Sequence, residues 1–173
     1  MRYKLIVILI VFITLSCEDD RTTQTNGVVM PFELIVSDYD YSMDYHTQYI
    51  LTDKELIVIQ KSELEPTDSL AASSELQNSV LLDTVLAFSK ELQELSYLEL
   101  DSLKQKYKTK GVHDGTQISV KLTKQNKTKK IHLSNYYHPV IGRIIMFINK
   151  LVPKEQQIYY NKEELQDLMN GHK

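Results

Sequence analysis

The sequence predicts an α+β fold, in which an antiparallel sheet built of hairpins carries helices packed on one face. Two observations predict it. Short runs of strand-forming residues occur in groups separated by turns, and helical patterns follow these groups instead of alternating with single strands. Regular alternation would indicate parallel βαβ units, so the clustered hairpins favour an antiparallel sheet.

The domain begins with a predicted meander. Strand-forming residues dominate three short runs, at 31–39, 47–52 and 55–61. Asp53-Lys54 predicts a tight turn between the second and third runs, which therefore pair as a hairpin. Residues 62–78 are polar and contain Pro66, which predicts a loop.

The segment 79–95 allows two interpretations. One helical face would be formed by Leu81, Val85, Phe88, Leu92 and Leu95. Alternatively, Ser89 has the features of an N-cap, because Phe88 precedes it and Leu92 is placed for a hydrophobic staple. A helix that begins at Ser89 leaves residues 79–86 as a strand, and we favour this second interpretation.

The following segment predicts a further short helix and a second hairpin. Asp101 is a candidate cap for a helix that reaches Tyr107. Asp114-Gly115 predicts a turn, after which residues 116–123 and 130–135 form two strands joined by a polar loop.

The most regular helix is predicted over residues 139–152. Pro139 suits its first position, and Pro153 stops it. Its apolar face comprises Ile141, Ile144, Ile145, Ile148, Leu151 and Val152. Residues 157–160 predict a short edge strand, and residues 161–169 predict a terminal helix that has an asparagine cap and ends at Gly171.

The N-terminal residues have the layout of a signal peptide. Arg2 and Lys4 precede an apolar stretch that is too short to span a bilayer, which takes about 20 apolar residues. The stretch ends at Cys17, the only cysteine of the chain. Because a single cysteine cannot form an internal disulfide, its presence in an exported protein requires an explanation.

This layout resembles the type II signal peptide of bacterial lipoproteins, in which a lipobox leads directly to a cysteine. The resemblance implies that Cys17 carries diacylglycerol and receives a further acyl chain such as palmitate after cleavage. Two or more chains anchor a protein stably. The alternatives are an N-terminal membrane helix or a core helix with an incidental cysteine. The expected organisation is a signal peptide at 1–16, a lipidated acidic tether at 17–27 and a single domain at 28–173.

Three acids follow the cysteine, Glu18, Asp19 and Asp20. They resemble the surface-export signal of lipoproteins in the Bacteroidota. The resemblance implies an outer-membrane location, on the periplasmic face or at the cell surface. A solvated charge run at the start of the tether is the simpler alternative.

Charge is distributed unevenly along the chain. Residues 18–103 contain 18 acids and 4 bases, a balance of −14, whereas residues 104–173 contain 14 bases and 5 acids, a balance of +9. Such asymmetry can mark a surface for an anionic partner, or it can reflect attraction between two parts of one domain. Candidate partner-binding residues are Lys124, Lys127, Lys129, Lys130, Tyr136 and Tyr137.

An envelope protein or an anionic glycan is the expected partner, and nucleic acid is not expected, because the chain is exported and its net charge is negative. Ser69 lies in Asp68-Ser69-Leu70, which resembles the acceptor for O-glycosylation in the Bacteroidota.

No motif predicts catalysis, a metal or a cofactor. Asp38, Asp40 and Asp44 have the spacing of a calcium loop, but Met43 occupies its glycine position and Tyr49 its bidentate glutamate position. The histidines form no zinc motif, and the chain has no G-x-S-x-G or S-x-x-K motif and no glycine-rich phosphate loop.

The sequence therefore predicts a lipid-anchored, non-catalytic binding or structural module of the cell envelope. Two alternatives stay open, an immunity-type lipoprotein that neutralises a periplasmic toxin and an envelope hydrolase without a recognisable motif. The chain is also similar to small envelope lipoproteins of the Bacteroidota in Cys17, in the Leu103…Tyr107…Asp114-Gly115 stretch and in Ile148-Asn149…Pro153. This similarity implies no activity.

Overall fold

A computed structural model describes residues 28–39, 45–62, 78–112 and 114–171. The proposed lipidation, export and glycosylation residues lie outside these ranges, namely Cys17, Glu18, Asp19, Asp20 and Ser69.

Seven strands and three α-helices make up the described part of the chain, which is an α+β fold. The strands are β1 (Glu33–Tyr39), β2 (Tyr45–Thr52), β3 (Glu55–Ser62), β4 (Asn78–Val85), β5 (Lys106–Lys108), β6 (Gln117–Lys124) and β7 (Lys127–Ser134). The helices are α1 (Lys90–Ser96), α2 (Pro139–Leu151) and α3 (Lys162–Gly171), and a 3₁₀ turn covers Lys154–Gln156.

All seven strands belong to one sheet, in the order β4-β3-β2-β1-β6-β7-β5. The first four strands along the chain form an antiparallel meander, and the β6–β7 hairpin lies beside β1. The sheet is mixed, because β5 runs parallel to β7. The prediction of a purely antiparallel sheet was therefore wrong at this one edge.

Side chains alternate between two faces of the sheet, as the pleat requires. We call one the buried face because its aliphatic residues are almost inaccessible, namely Leu34, Val36, Leu51, Leu56, Val58, Ile118, Val120, Leu122, Ile131 and Leu133. We call the opposite one the open face. It carries polar residues together with half-buried Ile35, Ile50 and Ile57, which are neighbours in the register.

Local signals correctly predicted most of the elements. The strand favoured over residues 79–86 is β4. Ser89 caps α1, because its Oγ accepts the N–H of Leu92 at 3.1 Å. Leu92 is buried, whereas Phe88 stays 57% exposed and so adds little to the core.

Two predicted elements are absent from the structure. Residues 101–107 form no helix, because the chain turns after Leu100 and then enters β5. Just before β5, the carbonyl of Gln105 accepts the N–H of His132 in β7 at 2.8 Å. Residues 157–160 form no strand. The side chain of Asn149 hydrogen-bonds both the N–H and the carbonyl of Ile158, each at 2.9 Å, so these groups need no neighbouring strand.

The β6–β7 connection is tighter than predicted. Gln125 and Asn126 alone form the turn, with positive φ angles of 45° and 65°. Two consecutive residues with positive φ are the signature of a type I′ hairpin, whose twist matches that of the flanking strands. The register of both strands is therefore fixed up to the tip, and with it the face on which each side chain lies.

Candidate functional site

The β6–β7 hairpin is strongly basic. Residues 121–130 contain five lysines and no acid. Because side chains alternate along a strand, the sheet divides these lysines between its two faces. Lys121 and Lys130 are opposite each other on the open face, whereas Lys124, Lys127 and Lys129 lie on the side of the buried face.

The open-face patch consists of Lys106, Lys121 and Lys130 around His132. Lys121 and Lys130 form a cross-strand pair, and His132 lies opposite Lys106 of β5. Like charges placed directly opposite each other destabilise a sheet. Glu33 offsets one of them, since its carboxylate is 3.6 Å from Lys121 Nζ. Within the described ranges, no carboxylate forms a salt bridge with Lys106 or Lys130.

His132 lies in the positive electric field of this patch. Burial lowers the pKa of His132 below its usual value of 6.5, and the nearby positive charges of Lys106 and Lys130 lower it further. The imidazole is therefore neutral at pH 7, with one N–H donor and one acceptor nitrogen. Two ammonium groups that pair with no described acid, beside a neutral hydrogen-bonding ring, can bind a phosphate, sulfate or carboxylate group.

The three remaining lysines of the hairpin line a cavity, and we call them the rim lysines (Lys124, Lys127 and Lys129). The cavity has a volume of about 270 Å³. Lys124 Nζ donates to the carbonyl of Leu98, and Lys129 Nζ donates to that of Asp101 at 3.2 Å. Burial lowers the pKa of Lys124, and the negative charge of Glu99 opposes this effect. Two rim lysines thus hold the segment 98–101 in place.

Tyr136 and Tyr137 belong to an aromatic cluster at the start of α2. The ring centroid of Tyr136 is 5.1 Å from that of Tyr107, and Tyr137 stacks on Tyr160 at 5.4 Å. Tyr160 Oη accepts the N–H of His138 and donates to the carbonyl of Tyr136, each at 2.9 Å. Both tyrosines are half-buried, so their rings brace the helix and offer only part of their surface to a partner.

The six candidate residues therefore do not form one surface. Lys130 lies on the open face, the rim lysines line the cavity, and the two tyrosines lie in the aromatic cluster. The partner-binding residues predicted from the sequence did not include Lys106, Lys121 or His132. The alternation Lys130-Ile131-His132 was a usable signal for two of the open-face residues, but Lys106 joins them only because β5 pairs with β7 in parallel.

The described part of the chain contains neither a metal-ligand cluster nor a membrane-spanning helix. No three His, Cys, Asp or Glu side chains there are grouped so that they could hold a metal ion. No helix in that part is both long and apolar enough to cross a membrane. Of the calcium-like triad, Asp38 lies at the end of β1, and Asp40 and Asp44 fall outside the described residues.

Comparison of the chain with family models, with curated proteins and with solved structures gives no match in any of the three.

Proposed function

We propose that this protein is a lipid-anchored, non-catalytic module of the bacterial cell envelope that binds an anionic partner through the open-face patch. The anchor is Cys17, and Glu18, Asp19 and Asp20 direct export to the outer membrane. Support for the anchor comes from the apolar run that ends at the only cysteine. The partner is an acidic surface of an envelope protein or an anionic glycan.

One observation carries the binding proposal, the cross-strand placement of Lys130 opposite Lys121. Folding places these like charges side by side at a cost in stability. An anionic group bound between Lys130, Lys106 and His132 would offset that cost, and it would reach the patch from solvent because both lysines are exposed.

We also propose that all the helices pack on the buried face, which leaves the open face to the partner. This is supported by the common core that buried residues of α1 and α2 form with those of the strands, for example Leu92 and Ile144 with Val36. Leu165 of α3 is buried as well.

The anchor is tested by Cys17→Ala in cells that are fed a labelled fatty acid. The expected result is loss of the label from the protein and loss of the protein from the membrane fraction. Cys17→Ala protein that keeps both the label and its membrane association would rule out this anchor.

The patch is tested by crosslinking in intact envelopes followed by capture of the full chain. Lys130→Glu is expected to abolish crosslinking of the partner that the wild type captures. Lys154→Glu is a matched control, because Lys154 is also exposed but lies far from the patch, in the 3₁₀ turn. Gln156 of that turn hydrogen-bonds the carbonyl of Leu81 in β4, which is the other edge strand of the sheet. Equal capture by wild type and Lys130→Glu would contradict the proposal, and the chemistry of the captured species distinguishes glycan from protein.

A further inference from the structure

The cavity beside the hairpin tip lies where the chain enters the domain. Met30 and Pro31, near the start of the described chain, line it together with the three rim lysines. The register explains this proximity, since Glu33 at the start of β1 lies opposite Thr123, one residue before the end of β6. The entry point and the hairpin tip are therefore at the same end of the sheet.

The distance from the proposed anchor to this end is limited by the chain itself. Ten residues separate Cys17 from Val28, and the eleven Cα–Cα steps between the two span at most about 40 Å when the chain is fully extended. Whatever conformation these residues adopt, the end that carries Met30 and the hairpin tip is the part of the domain most closely tethered to the membrane.

The chemistry of the cavity suits a lipid headgroup at an interface. Its lining is apolar at Met30, Pro31, Leu98, Leu100 and Leu122. The lining also contains the three rim lysines and two acidic residues, Glu99 and Asp101. Lys127 is exposed, and no described acid forms a salt bridge with it, so its ammonium group is available to a phosphate.

We propose that this end of the domain docks on anionic phospholipid headgroups of the membrane that holds the anchor. Lys127 binds headgroup phosphate, and the apolar lining accepts the adjoining glycerol and the first methylene groups. The inference rests on the proposed lipid anchor, which brings the surface to the membrane. A polybasic patch beside an acyl anchor strengthens membrane attachment in general.

The test uses the full chain, purified from bacterial membranes and reconstituted into vesicles. Because acylation blocks the thiol of Cys17, a second cysteine can be labelled alone with a fluorophore. Thr128→Cys places the label beside the cavity. Asp114→Cys places it beyond the other end of β6, which is about 24 Å long at 3.4 Å per residue.

The vesicles contain phosphatidylcholine alone or mixed with phosphatidylglycerol, and each carries a nitroxide-labelled lipid that quenches nearby fluorophores. With phosphatidylglycerol, quenching at position 128 is expected to exceed that at position 114 several-fold and to decline as salt is added. Lys127→Glu is expected to shift the docked fraction on the order of tenfold towards the undocked state. Lys154→Glu, which reverses a charge elsewhere, should leave it unchanged.

The possible outcomes distinguish a failure of the proposed docking from a failure of the proposed anchor. Protein that floats with phosphatidylcholine vesicles but is quenched equally at the two positions when phosphatidylglycerol is present contradicts the docking and leaves the anchor intact. Quenching at position 128 that Lys127→Glu does not reduce contradicts headgroup binding by that lysine. Protein that fails to float with phosphatidylcholine vesicles contradicts the anchor, and then both proposals fail.

Discussion

The side-chain amide of Asn149 hydrogen-bonds the backbone of Ile158 on both sides, accepting its N–H and donating to its carbonyl at 2.9 Å each. These bonds tie the segment after the 3₁₀ turn to α2, and Ile158 itself is buried in the core. We expect Asn149→Ala to lower the free energy of unfolding by about 2–3 kcal/mol, because it leaves two backbone groups without partners.

Urea denaturation monitored by circular dichroism measures this change. Asn170→Ala is the control, since Asn170 is an exposed residue of α3. If the two variants unfold at the same urea concentration, the amide of Asn149 contributes nothing to the packing of the C-terminal segment.

A second prediction concerns the turn before β6. Gly115 has a φ of +119°, and a Cβ there would overlap Asn135 Oδ1. The same Asn135 side chain donates through Nδ2 to the carbonyl of Asp114 at 2.9 Å. Gly115→Ala is therefore expected to cost about 1–3 kcal/mol through backbone strain and displacement of this bond.

Gly171→Ala is the matched control, because an added Cβ at that position meets nothing within 4 Å. Thermal unfolding should give a lower Tm for Gly115→Ala and an unchanged or slightly higher one for Gly171→Ala. A Tm for Gly115→Ala that equals the wild-type value would show that the turn relaxes at no cost.

How much of the fold was predictable depended on the range of the interactions involved. Helix α2 was predicted because Pro139, Pro153 and the periodic isoleucines between them act within one segment. Strand β5 was not, because its pairing with β7 depends on residues more than twenty positions away. The strand-forming sequence at 157–160 was misleading, because the side-chain amide of Asn149, nine positions earlier, satisfies the backbone of Ile158.

For the candidate site, too, local features were predictable and long-range contacts were not. Composition revealed that the β6–β7 hairpin is basic, but the face of each lysine depends on the register, which the two-residue turn at Gln125 fixes. Lys106 and His132 are neighbours only in the folded sheet. Nothing local in the sequence relates them.

A third prediction follows from Asp38. Burial raises the pKa of this carboxyl from 3.8 to about 6. The folded state therefore favours the neutral acid, so the stability that protonation adds is complete below pH 3.8 and is lost as the pH rises to about 6. One pKa unit corresponds to about 1.4 kcal/mol, so the cost at pH 7 is on the order of 2–3 kcal/mol.

We expect Asp38→Asn to be more stable than wild type at pH 7 by up to this amount and to lose that advantage near pH 4. Chemical denaturation at both pH values provides the measurement. Asp83→Asn, on exposed β4, should match the wild type at both. A gain for Asp38→Asn that is the same at pH 4 and pH 7 would exclude burial of the charge as its cause.

A fourth prediction concerns His132, whose pKa is lowered by burial and by the charges of Lys106 and Lys130. Replacing either lysine by alanine is expected to raise the pKa of the imidazole, because a nearby positive charge is removed. Proton NMR titration of the His132 ring measures it, with Lys90→Ala on α1 as the control. If neither replacement moves the pKa, the patch does not exert the field on which the binding proposal depends.

The last prediction concerns the core helix. Ile145 and Met146 are adjacent in α2, but Ile145 is 2% exposed and Met146 is 62% exposed. Ile145→Asp loses about 1.5–3 kcal/mol of apolar burial and adds a desolvation cost of several kcal/mol for a buried carboxylate. The sum is comparable to the whole stability of a domain, roughly 5–15 kcal/mol. Ile145→Asp is therefore expected to unfold the protein at 25 °C, whereas Met146→Asp should cost under about 1 kcal/mol.

Far-UV circular dichroism and a thermal melt of both variants test this prediction, because the two variants carry the same substitution one position apart. A cooperative melt of Ile145→Asp at the wild-type temperature would mean that this face of α2 does not pack in the core.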